Sequence, residues 1–435
     1  MAESAVTSRI AGWVDKHAGD LVELVQELVR TGKPSSQDDA PPVEAAQRLV
    51  SEVAASFELE TERRLVDLDV VRARDGFVDS AIEFGTRPYV VALSSGRSDR
   101  RSLLLNSHVD VVAAGDASLW SRPPFSGELR DGSIHGRGSV DAKGPLAALL
   151  FGLACARAMA DGELGDLTLV SVADEESGGM CTLDSLVRGD RADAVVVGEP
   201  TELAIAPGAR GATGFRLTVR GLQAHSGAAF EGVNAISKAT TYIAAIERLQ
   251  RDLDREQPNG LYDGVPVAHA FNIATIHGGE FTGVVPDRCT IAGVAPAIGD
   301  ESVEDARASL TAAVDAATAL DPWLIDHPPE LEWTPPSFEP SYTSVEHPLV
   351  ATAARAVARE LGSPPTVRPL LGGSDLRFYT RHFGIPGLHI GPGALRHAHG
   401  VDESLPVAEL LAATRAVAAI VLDWSGGSRD DRQRS

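Results

Sequence analysis

Seven side chains in this sequence have types and spacings suited to metal or acid–base chemistry. His108 and Asp110 close the apolar run RSLLLNSHVD, the adjacent pair Glu175 and Glu176 closes LTLVSVADEES, and Glu199 closes ADAVVVGEP. Asp141 lies in GRGSVDAKG, a glycine-rich loop entering a leucine-striped segment, and His399 lies in HAHGVDES after the last apolar run. Any one of them alone reads as an ordinary polar strand end. Together they demand more, because an ionised carboxylate in an apolar site is very costly without a partner. Glu175 and Glu176, side by side at a strand terminus, repel each other unless a cation sits beside them. Two imidazoles with several carboxylates suit zinc, or cobalt and manganese less exclusively, and no soft thiolate is offered. The set exceeds what one tetrahedral ion needs, so two divalent ions sharing one carboxylate is the economical reading.

The elements that position these residues follow from the apolar pattern. Val14, Leu21, Leu24, Val25 and Leu28 share a helical face near the N-terminus. From about residue 88, continuous apolar runs alternate with helical ones such as Pro145 to Ala160. Such runs predict strands buried on both faces, hence a mostly parallel α/β sheet. Ligands of open α/β sheets collect at the carboxyl ends of the strands, where most of the seven side chains fall. After Gly211 the pattern changes. FRLTVRG alternates apolar and polar residues, a helix with Ile236, Ile243, Ile246, Leu249 and Leu253 follows, and then come FNIATIHGG, VPDRCTIAGV and an amphipathic helix around Val303 to Leu320. These predict an inserted α+β unit, with the proline-rich His327 to Pro340 as the return linker. The expected domains are residues 1–211 and 334–435 for the α/β part and 212–333 for the insertion. The polar tail SGGSRDDRQRS is read as disordered.

Composition excludes several function classes. A chain of 435 residues makes two domains the default. Lys and Arg number 39 against 61 Asp and Glu, a net charge of -22, which disfavours nucleic-acid or anionic-membrane partners. The three cysteines, Cys155, Cys181 and Cys289, lack metal-ligand spacing and fit a reducing compartment. The first twenty residues carry charges throughout, unlike a signal peptide, and the apolar stretch Leu146 to Ala156 is too short to span a bilayer. The expectation is a soluble, cytoplasmic protein.

The motifs SHVDVV, WSRPPFSGELRDGSIHGRGSVDAKG, ADEESGG, GEPTE, AHSGAAFEGVNAI, GGEFTGVVPDRC, GGSDLRFY and HAHGVDES occur in this order. Together they resemble the acetylornithine deacetylase, succinyl-diaminopimelate desuccinylase and carboxypeptidase G family of dinuclear zinc hydrolases. The resemblance implies a zinc-peptidase-like catalytic domain with a mostly parallel sheet, interrupted by a ferredoxin-like lid and dimerisation domain, and a homodimer through that insertion. It implies that Asp141 bridges two metals, His108 and Glu199 complete one shell, and Glu176 with His399 completes the other. Asp110 would orient His108, Glu175 would be the general base, and His225 would donate to the oxyanion. Gly372, Gly373 and Ser374 would form a substrate-facing turn.

The implied reaction is hydrolysis of a small N-acyl amino acid or N-acyl amine by a metal-bridging hydroxide. The same machinery also suits a carboxypeptidase or dipeptidase, and a silent metal-binding protein is a remote alternative. One departure stands out. Many members hold a substrate carboxylate with an Asn and an Arg, at positions where this chain has Gly283 and Pro296. Either Arg288 has taken over that grip, or the substrate presents no carboxylate there.

Overall fold

The strands that carry the candidate residues form where the sequence is apolar on both faces. The computed structural model describes residues 2–32, 42–78, 87–160, 162–256 and 260–429. Leu103–His108, Leu167–Val172 and Val195–Val197 are buried at every residue, because helices cover both sides of their sheet. Leu103–His108 runs parallel to both of the others, and Gly387–His389 adds in parallel beyond Val195–Val197. Pro88–Ser94 and Glu60–Leu65 extend the other edge antiparallel, which completes six strands. All the parallel strands therefore end on one side, and that side carries the chemistry.

The helix Gly144–Ala160 is buried from Gly144 to Ala156 and packs against Val407–Ser425. Gly152 permits this approach, since a Cβ there would lie 2.5 Å from Val417 Cγ1. By length and composition the run Ser139–Ala160 is apolar enough to cross a membrane, a longer stretch than the sequence reading marked. Its most apolar eighteen residues are all buried inside the protein, which is the behaviour of a core helix. The N-terminal apolar face is divided between two helices, Ala2–Lys16 and Ala18–Arg30, with His17 at the break and its ring stacked on Trp13. The three cysteines are buried and unpaired.

The chain divides into two compact units, one comprising Met1–Gly208, Tyr342–Leu370 and Ser374–Ser435, the other Ala209–Ser341 and Leu371–Gly373. The second unit is a four-stranded antiparallel sheet in the order Asn272–Gly278, Arg288–Ala297, Gly211–Arg220, Glu330–Phe338. Helices Ala235–Glu256 and Val303–Thr318 supply Tyr242, Ile246 and Leu310 to a core with Phe215, Leu217 and Ile291. A Ser302–Asp305 capping box starts the second helix.

Two expectations need correction. The proline-rich segment read as a linker is largely a strand, Glu330–Phe338, paired antiparallel with Gly211–Arg220. An edge strand bonds on one side only, and its register shifts between Thr334 and Ser337, so the two prolines need no ladder donor. The polar tail begins ordered: Ser425 ends the last helix and Arg429 Nε donates to Asp193 at 2.9 Å. The remainder, 430–435, lies outside the described residues.

Candidate metal centre and catalytic site

Five of the seven side chains converge in two groups that share Asp141. His108, Asp141 and Glu199 form one, and Asp141, Glu176 and His399 form the other, with ligand atoms in each group within 4.8 Å of one another. His108 is the last residue of its strand and Glu199 lies two residues beyond Val195–Val197, so both stand on rigid, buried supports. Asp141 follows Gly138, whose left-handed backbone (φ +85°) turns the loop toward the next helix. A Cβ at Gly138 would come within 2.6 Å of Val111. His397 and His135 belong to neither group.

The imidazoles explain what the groups are for. His108 Nδ1 lies 3.0 Å from the Asp110 carbonyl, which can only accept, so Nδ1 carries the proton. Nε2 then faces Asp141 Oδ1 at 3.1 Å, where a further proton or a cation must sit. Burial works against a charged His108, but Asp110 and Asp141 outweigh it and hold the pKa well above the ordinary value. His399 Nε2 lies 2.9 Å from Glu176 Oε1 and 3.3 Å from Asp141 Oδ2. Those two carboxylates raise its pKa to about 10. Each ring thus presents the atom that would bind a divalent ion to carboxylates that would share it.

The carboxylates carry the same message. Glu175 is pushed well above the ordinary value by burial and by Glu199, Asp375 and Glu176, with His108 pulling the other way. Burial and then Asp141 raise Glu199 likewise. Five carboxylates, those of Asp110, Asp141, Glu175, Glu176 and Glu199, thus adjoin two imidazoles, and that excess of negative charge calls for cations. The donor set therefore fits two divalent ions.

Asp110 does more than orient His108. Its carboxylate accepts the backbone N–H of Glu175 at 3.3 Å and of Glu176 at 3.1 Å, while its Oδ1 is 3.4 Å from His108 Nδ1. It therefore fixes the turn that aims both glutamates. Asp174, the preceding residue, is buried and accepts from the Met180 and Cys181 amides, capping the helix Met180–Arg188. Burial, with Asp110 and Asp375 nearby, pushes it up to about 7.

The remaining expected residues lie outside these groups. His225 is exposed in the second unit and caps the turn Ser226–Glu231. Its Nδ1 accepts from Gly227 N at 3.0 Å, which leaves Nε2–H as an outward donor. Gly372 and Gly373 also belong to the second unit.

Ser374, the third residue of the expected substrate-facing turn, belongs to the first unit. It is 2% exposed, and its hydroxyl meets His389 Nε2 at 2.8 Å and accepts from the Leu376 amide at 3.2 Å. Arg288 opens the strand Arg288–Ala297, whereas Pro296 lies eight residues further along, about 27 Å away at strand rise. It cannot stand in for a group at Pro296. At Gly283 the space is taken by Phe281, whose ring would lie 2.4 Å from a Cβ.

Sequence reasoning passed over Arg137 and Glu403, both buried beside the groups and bonded to each other at 2.6 Å. A charged residue between the two glycines of GRG was the available signal.

Residues 104–423 match the family model described as Peptidase family M20/M25/M40. The chain is 27% identical to the N-formyl-4-amino-5-aminomethyl-2-methylpyrimidine deformylase of Halalkalibacterium halodurans, over 98% of this chain and 99% of that one. It is 31% identical to the succinyl-diaminopimelate desuccinylase of Magnetococcus marinus, over 72% of this chain and 80% of that one. Its fold is similar to that of human carnosine dipeptidase 1, with a TM-score of 0.69 at 16% identity, covering 97% of this chain and 99% of that one.

Proposed function

Because the chain belongs to peptidase family M20/M25/M40 and is a metal-dependent hydrolase, we propose that it holds two divalent ions at the groups sharing Asp141 and releases a small acyl group, formyl in the first instance, from an amine without a carboxylate. The pair of ligand groups with one common carboxylate carries the metal part of this reading. Zinc suits the donor set best, with cobalt or manganese as alternatives. When bound, such ions supply Lewis acidity and bring the pKa of a water down to about 7.

The chain's own residues do the rest. Glu175 belongs to neither ligand group and is aimed by Asp110 through its own amide. It takes the proton of the attacking water and returns it to the leaving amine. Its carboxylate neighbours push it toward protonation and two cations would pull it back, which suits a group that must both accept and donate. His225 offers its Nε2–H to the oxyanion that develops at the substrate carbonyl.

The substrate part rests on what the second unit lacks. Gly283 has no side-chain donor, Pro296 has no N–H, and Arg288, eight residues along the strand, cannot stand at the Pro296 position. The deformylase relative, by its name, acts on an N-formyl aminopyrimidine, a compound in which that name shows no carboxylate. Hydrolysis of N-acyl amino acids, as in the desuccinylase relative, or of dipeptides on the same site is the second reading. The metal-replete enzyme should be assayed on N-formyl and N-acetyl aromatic amines, N-acyl amino acids and dipeptides, with products identified. Preference for the acyl amines supports the proposal, and cleavage confined to acyl amino acids or dipeptides refutes its substrate part.

A homodimer is part of the proposal, with the inserted unit as the contact. The strand Asn272–Gly278 is an exposed edge carrying Ile276, suited to pairing with a second copy across a two-fold axis. A monomer by light scattering at working concentration would remove this part. Three buried, unpaired cysteines accord with a cytoplasmic setting.

A further inference from the structure

Arg137 and Glu403 form a buried ion pair that joins two distant segments of the chain. Arg137 Nη1 lies 2.6 Å from Glu403 Oε2, and the two side chains are 2% and 0% exposed. The other carboxylate oxygen, Oε1, accepts the backbone N–H of Val140 at 2.8 Å and of Asp141 at 3.2 Å. The other end of the guanidinium, Nη2, donates to the His399 carbonyl at 3.1 Å. Arg137 is itself held by its amide on Pro124 O at 2.7 Å and lies over the Trp120 ring at 5.3 Å. One pair of side chains thus grips the backbone of the shared ligand and that of a ligand from the far end of the chain.

The two ligand groups depend on this grip unequally. His108 ends a buried strand and Glu199 follows another, so sheet packing fixes them. His399 sits on a loop with its side chain 51% exposed, and its backbone is left-handed (φ +61°), a conformation that costs a non-glycine residue free energy. Something must hold it there, and the Arg137 bond to its carbonyl does. A buried ion pair contributes little net stability, because desolvation offsets its attraction. Its geometry gives it another use.

We infer that the Arg137–Glu403 pair is a positioning device for the ion held by Asp141, Glu176 and His399, and sets that ion's affinity without governing the ion held by His108, Asp141 and Glu199. The inference rests on the two-ion reading above. Arg137→Lys keeps the charge beside Glu403 but cannot grip the carboxylate and the His399 carbonyl together, because lysine lacks the planar fork.

The test is titration of the metal-free protein with cobalt, followed by visible absorption and by elemental analysis of the bound metal. In wild type two equivalents should bind. In Arg137→Lys the second should weaken by about 10–100-fold, the usual effect of losing a residue that orients a ligand, while the first stays within about threefold. Glu403→Gln should act in the same direction, and near-ultraviolet circular dichroism of both metal-free variants should match wild type. Equal weakening of both equivalents, or no change in either, overturns the inference. Unfolding of both variants also overturns it, by making the pair a requirement of the fold. Fewer than two equivalents in wild type would refute the two-ion reading itself.

Discussion

His389 should make this protein lose stability in acid by a predictable amount. The ring is fully buried on the Gly387–His389 strand, with Nδ1 donating to the Ala206 carbonyl and Nε2 meeting the Ser374 hydroxyl, each at 2.8 Å. Both nitrogens are satisfied in the neutral form, and burial pushes the pKa down to about 4 from an ordinary 6.5. A folded-state pKa below the unfolded one means that the contribution is complete above about pH 6.5. It drains away as pH falls toward 4, because the unfolded chain takes up the proton first. Each pH unit in that window is worth about 1.4 kcal/mol, so the loss between pH 7 and pH 5 is about 2 kcal/mol. His389→Gln keeps an amide donor and acceptor but cannot titrate. Guanidinium unfolding of both metal-free proteins at pH 7, 6 and 5 isolates the effect, since the carboxylates of the site titrate in both and cancel in the difference. Whatever advantage wild type has at pH 7 should shrink by about 2 kcal/mol at pH 5. Parallel pH curves for the two proteins would refute the assignment of a neutral, buried ring.

Three further outcomes are expected. Glu175→Gln should stay folded and keep its metal while kcat falls by about 10²–10⁴-fold or more, and near-normal turnover would assign the base elsewhere. Arg288→Ala should leave the ratio of activities on acyl amines and acyl amino acids unchanged, because the residue lies at the opposite end of its strand from Pro296. A shift of tenfold or more in that ratio would return Arg288 to substrate recognition. Gly152→Ala should destabilise the protein by about 1–3 kcal/mol through its clash with Val417, measured as a lower Tm, and an unchanged Tm would mean the two helices separate without penalty.

The candidate ligands were legible because metal chemistry restricts residue types and α/β sheets restrict where they fall. His108, Glu176 and Glu199 could be found at the ends of apolar runs before any contact was known. The parallel sheet was legible for a related reason, since strands such as Leu103–His108 are buried on both faces and carry no alternation. The strand Glu330–Phe338 was not, because local propensity reads prolines as breakers and only pairing on one side with Gly211–Arg220 makes them tolerable.

What the sequence determined by itself was therefore a set of atoms able to hold cations and the sheet edge on which they gather. Tertiary structure alone decided how they are held and what surrounds them. It brought Arg137 to Glu403 across 266 residues of chain, turned the Asp110 carboxylate to the glutamate amides, and buried Ser374 against His389. It also separated Arg288 from Pro296 by the length of a strand. The division has a physical cause. A ligand is recognised by its own chemistry, which the residue type carries, whereas a supporting contact depends on distances between segments that only packing of the whole chain establishes.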